Sequence, residues 1–276
     1  MTIAITGSTG QLGRLAIAAL KARGVTPIAL ARNPAGAADL GVPVRAFDYK
    51  SADPAALAGV DVLVLISSND FDDRVGAHKN VIHAAKAAGV GRVIYTSILQ
   101  ADTSPMILAA DHKGTEAALK ASGLTYTLLR NGWYIENQTG SLGGAIAAGA
   151  LIGSAGEGRF SAAARKDYAE AIAVAAATAG HDNAVYELGG DQSYSYADLA
   201  AEVSRQIGKT IPYNDLPADV YAGILKGFGL TEGFAFVLAD SDVQAGKGAL
   251  EDNSRTLSRL IGRPTTPMAD VVKAAL

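Results

Sequence analysis

The run Val60–Ser67, VDVLVLIS, is apolar on both faces over almost its whole length. A strand of that kind has no solvated side, so it belongs in the interior of a parallel sheet covered by helices on both faces. Parallel neighbours need crossover connections, usually helical, and the chain supplies them. Short β-branched runs stand at Thr2–Thr6, Ile28–Ala31, Val44–Phe47, Arg92–Thr96 and Thr125–Leu129. Ala- and Leu-rich segments at Gln11–Arg23, Arg74–Ala88 and Asp111–Ala121 lie between most of them. The alternation predicts an α/β fold with a doubly wound parallel sheet.

After Arg130 the texture changes. A Gly- and Ala-rich stretch leads to a helix expected over Asp167–Ala179, with Asp167 at its N-cap, then a strand at Val185–Leu188. A helix at Tyr196–Ile207 follows, capped by Ser195, and Asp215–Leu276 reads as further helices broken by Gly and Pro. The expectation is a nucleotide-type domain over 1–130 and a smaller mixed substrate-side domain over 131–276, with interleaving of the two left open. The stretch Asn137–Gly156 is uncharged, but it has only four large aliphatics among Gly, Ala, Ser and Thr, so no membrane span is expected. Lys+Arg 24 against Asp+Glu 27 leaves no basic stripe for nucleic acid. The absence of cysteine excludes disulfides and thiolate chemistry and suits a reducing cytoplasm. No basic region precedes the first strand, so no signal peptide is expected.

The segment ITGSTGQLG places Gly7, Gly10 and Gly13 three apart, between the first strand and the first helix. That context makes it a phosphate-binding turn of a Rossmann-type sheet: backbone amides and a helix N-terminus face the anion, and glycines let it approach. The spacing is one residue longer than G-x-G-x-x-G. Arg32 stands nineteen positions after Gly13, where an acidic residue would accept a ribose 2′-hydroxyl and an arginine suits a 2′-phosphate. NADPH is therefore favoured over NADH. Strand ends at the same crevice nominate Ser67, Ser68, Thr96 and Ser97.

The catalytic inventory is thin. No tyrosine has a lysine four residues later, so the usual alkoxide-protonating pair is missing, and no G-x-S-x-G elbow occurs. GKT at Gly208–Thr210 follows a helix and is not a P-loop. His78 and His83 fall on different helix faces and make poor joint metal ligands; His181 is expected to be solvated, and His112 to be a helix-surface or capping residue near the crevice. Asp70, Asp72 and Asp73 are expected to serve a helix N-terminus. No catalytic residue and no metal ligand is assigned. LLRNGWYIEN, Leu128–Asn137, holds the one tryptophan; Trp133 and Tyr134 beside Asn131 and Gly132 either wall a flat substrate or anchor a domain junction.

GSTGQLG, LARNP, LISSND, AAKAAGVGRVIYTSILQADTSP, HKGTEAAL, LLRNGWYIEN and TLSRLIGRPTTP together resemble the NmrA-like branch of atypical short-chain dehydrogenases. More narrowly, they resemble the type 2 NADPH:quinone oxidoreductases, with triphenylmethane dye reductases as relatives. The resemblance implies NADPH-dependent two-electron reduction of quinones without flavin. It implies cofactor contacts at Gly7, Ser8, Thr9, Gly10, Gln11, Leu12, Arg32, Ser67, Ser68, Asn69, Asn131, Gly132, Trp133, Tyr134, Ile135 and Glu136. The family departs from the tyrosine–lysine pattern, as this chain does. Trp133, Tyr134 and His112 are the substrate-pocket candidates, and a homodimer is admitted as the assembly. An NADP-sensing regulator without turnover is the competing reading; a ketone or imine reductase would need Lys113 or His112 as its acid.

Overall fold

The computed structural model describes residues 1–276. By compactness the chain divides into two interleaved units. Met1–Ala101, Asp111–Asn131 and Arg165–Tyr186 form the first; Asp102–Ala110, Gly132–Ala164 and Glu187–Leu276 form the second.

The first unit is built on the strands β1 (Ile3–Ile5), β2 (Ile28–Ala31), β3 (Val44–Ala46), β4 (Val62–Leu65), β5 (Arg92–Ile98) and β6 (Thr125–Asn131). They cross over through α1 (Gln11–Ala22), α2 (Arg74–Ala87) and α3 (Ile107–Ala121), with short 3-10 turns on either side of β3. The sheet has seven strands in the order β3-β2-β1-β4-β5-β6-β9, where β9 is Ala184–Leu188, and every pairing among β1–β6 is parallel. The order reverses between β1 and β4, so the crevice of a doubly wound sheet opens there. As its sequence demands, β4 is buried along its whole length, and Leu63 and Leu65 pack with Val81, Ile82 and Tyr95 in the core. The helix α1 buries Leu12, Ala16, Ile17 and Leu20, one face of a helical period.

The segment Arg165–Tyr186 of the first unit comes from the second half of the chain. The helix α6 (Arg165–Ala177) packs against α1. Its buried residues are mostly alanine, Ala169, Ala171, Ala173, Ala175 and Ala176, which lets two helix backbones come close. Asp167 is not its N-cap, because the helix starts two residues earlier at Arg165 and takes Asp167 into its first turn. The start of α3 also differs from expectation. Its first amide, Ile107 N–H, donates to the Asp240 carboxylate at 2.8 Å, a partner 133 residues away that extends the helix four residues upstream of Asp111.

The second unit holds α4 (Ile135–Thr139), α5 (Leu142–Ala148), β7 (Leu151–Gly153), β8 (Arg159–Phe160), β10 (Tyr194–Ser195), α7 (Tyr196–Ile207) and β11 (Tyr213–Asp215), then α8 (Ala218–Gly227), α9 (Glu232–Ala245), α10 (Thr256–Ile261) and α11 (Met268–Ala275). The strand β7 pairs in parallel with β11, and β8 antiparallel with β10. Ser195 caps α7 in a reciprocal box with Asp198, and Gly208 ends that helix in a left-handed conformation, so the GKT triplet is a helix stop. The Asn137–Gly156 stretch is divided among α4, α5 and β7, and no helix is long and apolar enough to cross a membrane.

Asp242 on α9 is buried, accepting from Ser154 N–H at 3.0 Å and from the Tyr196 hydroxyl at 3.1 Å. Burial pushes its carboxyl up to about 6. The folded state therefore holds that proton more tightly than the unfolded chain, and stability falls as pH rises from the ordinary carboxylate range toward 6. Asp242→Asn removes the slope. Its melting temperature relative to the parent should shift in the variant's favour by about 5 °C between pH 4 and pH 7; parallel profiles would refute this.

Candidate dinucleotide site

The three glycines after β1 do separate jobs. Gly7 takes φ +58°, a left-handed conformation that favours glycine. A Cβ on Gly13 would lie 2.3 Å from the Gly7 carbonyl oxygen and 2.8 Å from the Ser8 Cα, so the first turn of α1 rests directly on the loop backbone. Gly10 is the N-cap of α1 and offers no side chain, which leaves the first amides of a twelve-residue helix open toward an anion. Ser8 is turned inward, its hydroxyl donating to the Leu30 carbonyl at 2.8 Å, and so pins the loop to β2. Thr9, Gly10 and Gln11 are exposed, and Leu12 is buried under the helix. The Gln11 side chain is hydrogen-bonded by Arg165 of α6.

At the end of β2, Arg32 is exposed, and Asn33 caps the following 3-10 turn by accepting from Ala35 N–H at 3.1 Å. Arg14 ties this turn to the glycine loop: it donates to the Thr9 carbonyl, to the Gly36 carbonyl and, at 2.6 Å, to Asp39. The one carboxylate of that turn is thereby engaged, and the hydrogen bond from Arg14 holds Asp39 below the usual range.

The far side of the crevice is fixed from beneath. Thr6 Oγ1 accepts from Ile66 N–H at 3.0 Å and lies 2.6 Å from the Tyr49 hydroxyl, which joins the ends of β1 and β4. Ser67 N–H donates to Thr96 Oγ1 at 2.8 Å. Thr96 and Ser97 sit inside β5 and not past its end, and both side chains are buried. Ser97 donates to Glu116 at 2.7 Å, and Glu116 is held by Arg130. Ser67 and Ser68 are half-buried and Asn69 is exposed.

The histidines divide differently from expectation. His112 is buried on the inner side of α3, 6% exposed, with Nδ1 2.8 Å from the Tyr95 hydroxyl. It is neither a surface nor a capping residue. His181 is also buried, between the Thr178 and Tyr186 hydroxyls at 2.8 Å each, because its turn folds under the end of α6. His78 is buried and His83 exposed on the same helix, as their spacing requires, and no cluster of His and acidic residues is arranged to hold a metal ion. Asp73 caps α2 by accepting from Gly76 N–H at 2.9 Å, while Asp70 pairs with Lys50.

Past β6 the chain enters the second unit at Gly132, whose N–H bonds the Leu188 carbonyl at 2.9 Å. Trp133 and Ile135 are both bonded through their backbones to Ala163, at 3.1 Å each, so the aromatic segment is laid against the strand-like stretch Ala162–Ala164. Trp133, Tyr134 and Glu136 are half-buried, and Ile135 is buried as the first residue of α4. Asn131 ends β6 and is buried, its carbonyl accepting from Leu99 N–H at 2.8 Å.

A sequence model described as NAD(P)H-binding matches residues 7–179, from the first glycine of the turn to the end of α6. The chain belongs to the NAD(P)H-binding family. Among members of curated identity, quinone oxidoreductase 2 of Escherichia coli (strain K12) is 50% identical over 277 residues, covering 98% of this chain and 97% of that protein. A crystal structure of an NADPH-dependent quinone oxidoreductase complexed with NADPH, also from Escherichia coli, superposes with a TM-score of 0.95 at 49% identity over 99% of both chains. The triphenylmethane reductase of Citrobacter sp. complexed with NADP(H) superposes at 0.91 with 34% identity, over 99% of this chain and 100% of that one. The Rossmann-type sheet and the NmrA-like resemblance thus both hold for this NAD(P)H-binding chain. Tyr49, which braces the crevice through Thr6, escaped the sequence reading because it lies in neither the glycine nor the aromatic motif; Thr6 stands next to Gly7, but its partners Tyr49 and Ile66 are far along the chain.

Proposed function

We propose that this chain is an NADPH-dependent reductase passing hydride directly to a quinone or a similarly flat, electron-poor acceptor, without a flavin between them. The observation that carries the reading is the open glycine turn backed by Arg32, in a segment whose carboxylate is already bound to Arg14. Gly13 lets α1 rest directly on the loop backbone, and the side-chain-free N-cap Gly10 leaves the first helix amides open to a pyrophosphate. Gly7–Leu12 would hold the phosphates, Arg32 the 2′-phosphate, and Ser67–Asn69 with Asn131–Glu136 the remainder. When bound, NADPH would supply a hydride, which is two electrons together with one proton.

The protein's own part is positioning. Trp133 and Tyr134 supply flat aromatic surface that suits a planar acceptor. Reduction of a quinone yields a stabilised oxyanion that takes its proton from solvent, so a site without the tyrosine–lysine pair suffices for it. His112, the third pocket candidate, is buried with its Nδ1 2.8 Å from the Tyr95 hydroxyl. The 50% identity to a quinone oxidoreductase supports the acceptor class. The lack of cysteine and of a spanning helix suits a cytoplasmic setting.

The purified chain should oxidise NADPH when given a panel of quinones, with no added flavin. NADPH binding without turnover on any quinone or cationic dye would overturn the reading in favour of a cofactor sensor. Arg32→Glu should raise the KM for NADPH roughly 10- to 100-fold, the loss of a charge-assisted phosphate contact, and leave that for NADH near its parent value. Equal effects on the two would rule out a 2′-phosphate contact.

A further inference from the structure

A chain of hydrogen bonds runs from the end of β4 through α2 into α3. Ser68 N–H donates to His78 Nε2 at 2.9 Å, His78 Nδ1 lies 3.0 Å from Thr115 Oγ1, and Thr115 Oγ1 donates to the Asp111 carbonyl at 2.9 Å. The first link sets the direction of all three. A backbone amide only donates, so Nε2 carries no proton and the ring is neutral with its hydrogen on Nδ1. That hydrogen goes to Thr115, whose own is taken by Asp111. One tautomer satisfies every group.

The ring is enclosed. It is fully buried, meets Tyr95 edge-on with centroids 5.4 Å apart, and lies tilted against Tyr49 at 6.0 Å. Burial, reinforced by the nearby Arg74 cation, lowers the ring to about 3, so it keeps this neutral form near neutral pH. The amide it binds belongs to the turn that closes β4. Ser67 N–H in the same turn is anchored on Thr96, and Ser68 Oγ accepts from Asp70 N–H at 3.0 Å. Both serine amides are therefore tied down from below, while Asn69 stays exposed at the crevice.

We infer that His78 is a positioning residue for the dinucleotide, fixing Ser67–Asn69 by accepting the Ser68 amide. The inference rests on the reading of Ser67–Asn69 as part of the cofactor site. The geometry also says which half of the cofactor is affected. Arg32, at the end of β2, marks the adenosine side of the crevice, and β4 lies on the other side of β1. His78 therefore acts on the half that carries the nicotinamide and leaves the 2′-phosphate end alone.

The test compares two ligands by fluorescence or calorimetry: NADPH, and adenosine 2′,5′-bisphosphate, which has only the adenosine end. His78→Phe keeps the ring volume but removes the acceptor, and should weaken NADPH about tenfold, the scale of a buried donor losing its partner. Affinity for the bisphosphate should not change. His78→Gln, which retains an acceptor oxygen, should fall between the parent and the Phe variant. Unchanged NADPH affinity in His78→Phe overturns the inference, and so does equal weakening of both ligands, which is what a merely structural role produces. Should His78→Phe fail to fold, Thr115→Val gives the same readout: it strips the Nδ1 hydrogen of its acceptor, and NADPH alone should weaken about threefold. If the parent binds the bisphosphate and not NADPH, the cofactor reading itself has failed and takes this inference with it.

Discussion

Gly13→Ala should lower the melting temperature by roughly 5–10 °C and weaken NADPH about a hundredfold, the effects of about 2–3 kcal/mol of overpacking at a site that also shapes the phosphate cradle. The size follows from what the added carbon meets. It would stand 2.3 Å from the Gly7 oxygen, 2.8 Å from the Ser8 Cα and 2.9 Å from the Gly7 carbonyl carbon, all backbone atoms. No rotamer change relieves such a contact. Either α1 moves off the sheet, exposing Ala16 and Ile17, or the loop is pushed up into the space of the pyrophosphate. Retreat of the loop is resisted by Ser8, whose hydroxyl is bound to Leu30, and by Gly10, whose N–H is 3.0 Å from the Gly7 oxygen. Gly10→Ala is a graded comparison, since its Cβ would sit 3.2 Å from that same oxygen and ask for only a small shift. Gly144→Ala in α5 meets nothing within 4 Å and should leave the melting temperature unchanged or slightly raised. Thermal melts with and without NADPH decide the matter. Parent-like stability and affinity in Gly13→Ala would mean that close approach of helix and loop is not required.

The parts of this fold that can be read from sequence are those whose constraint is local. The double-sided apolarity of β4 and the β-branched runs around it report a parallel sheet because strand burial depends on neighbours of any identity. The glycine turn is legible for a related reason: a left-handed residue and a missing Cβ are written into the residue type. What stayed hidden depends on partners distant in the chain. The start of α3 is set by Asp240, far downstream. His112 and His181 look like polar surface residues until Tyr95 and the Thr178–Tyr186 pair close around them. Similarly, nothing local says that α6 returns to cover α1, or that β9, with partly exposed residues, extends the sheet beyond β6. In the site, the residues proposed to contact the cofactor lie in motifs. Tyr49 and His78, which hold a strand end and a backbone amide from beneath, lie in none, and Thr6, although next to Gly7, is held by Tyr49 and Ile66 far along the chain.

The second large effect is expected at Arg130. Arg130→Met should cost about 3–5 kcal/mol, or on the order of 10 °C in melting temperature. Arg130 on β6 grips Glu116 of α3 with Nε on Oε1 at 2.9 Å and Nη2 on Oε2 at 2.7 Å, and Ser97 of β5 adds a third bond at 2.7 Å. Glu116 is 2% exposed. Burial works against its charge, but the bonds from Arg130 and Ser97 outweigh it and hold the carboxyl below its usual value. The paired carboxylate therefore stabilises the fold above the ordinary carboxylate range, and that contribution is lost as pH falls through the lowered value. With methionine at 130, Glu116 keeps only Ser97 and the half-exposed Lys120 ammonium 3.4 Å from Oε2, so burial should outweigh the remaining contacts and ionisation of Glu116 should oppose folding. The deficit of the variant should consequently be largest at pH 7 and shrink toward pH 4, where the acid accepts a proton. Replacing both members removes the stranded charge, so Arg130→Met with Glu116→Leu should recover most of the loss, as apolar replacements of whole buried pairs do. A double variant no more stable than Arg130→Met would mean that the guanidinium contributes through packing and its other contacts, and that the buried carboxylate is not what makes its removal costly.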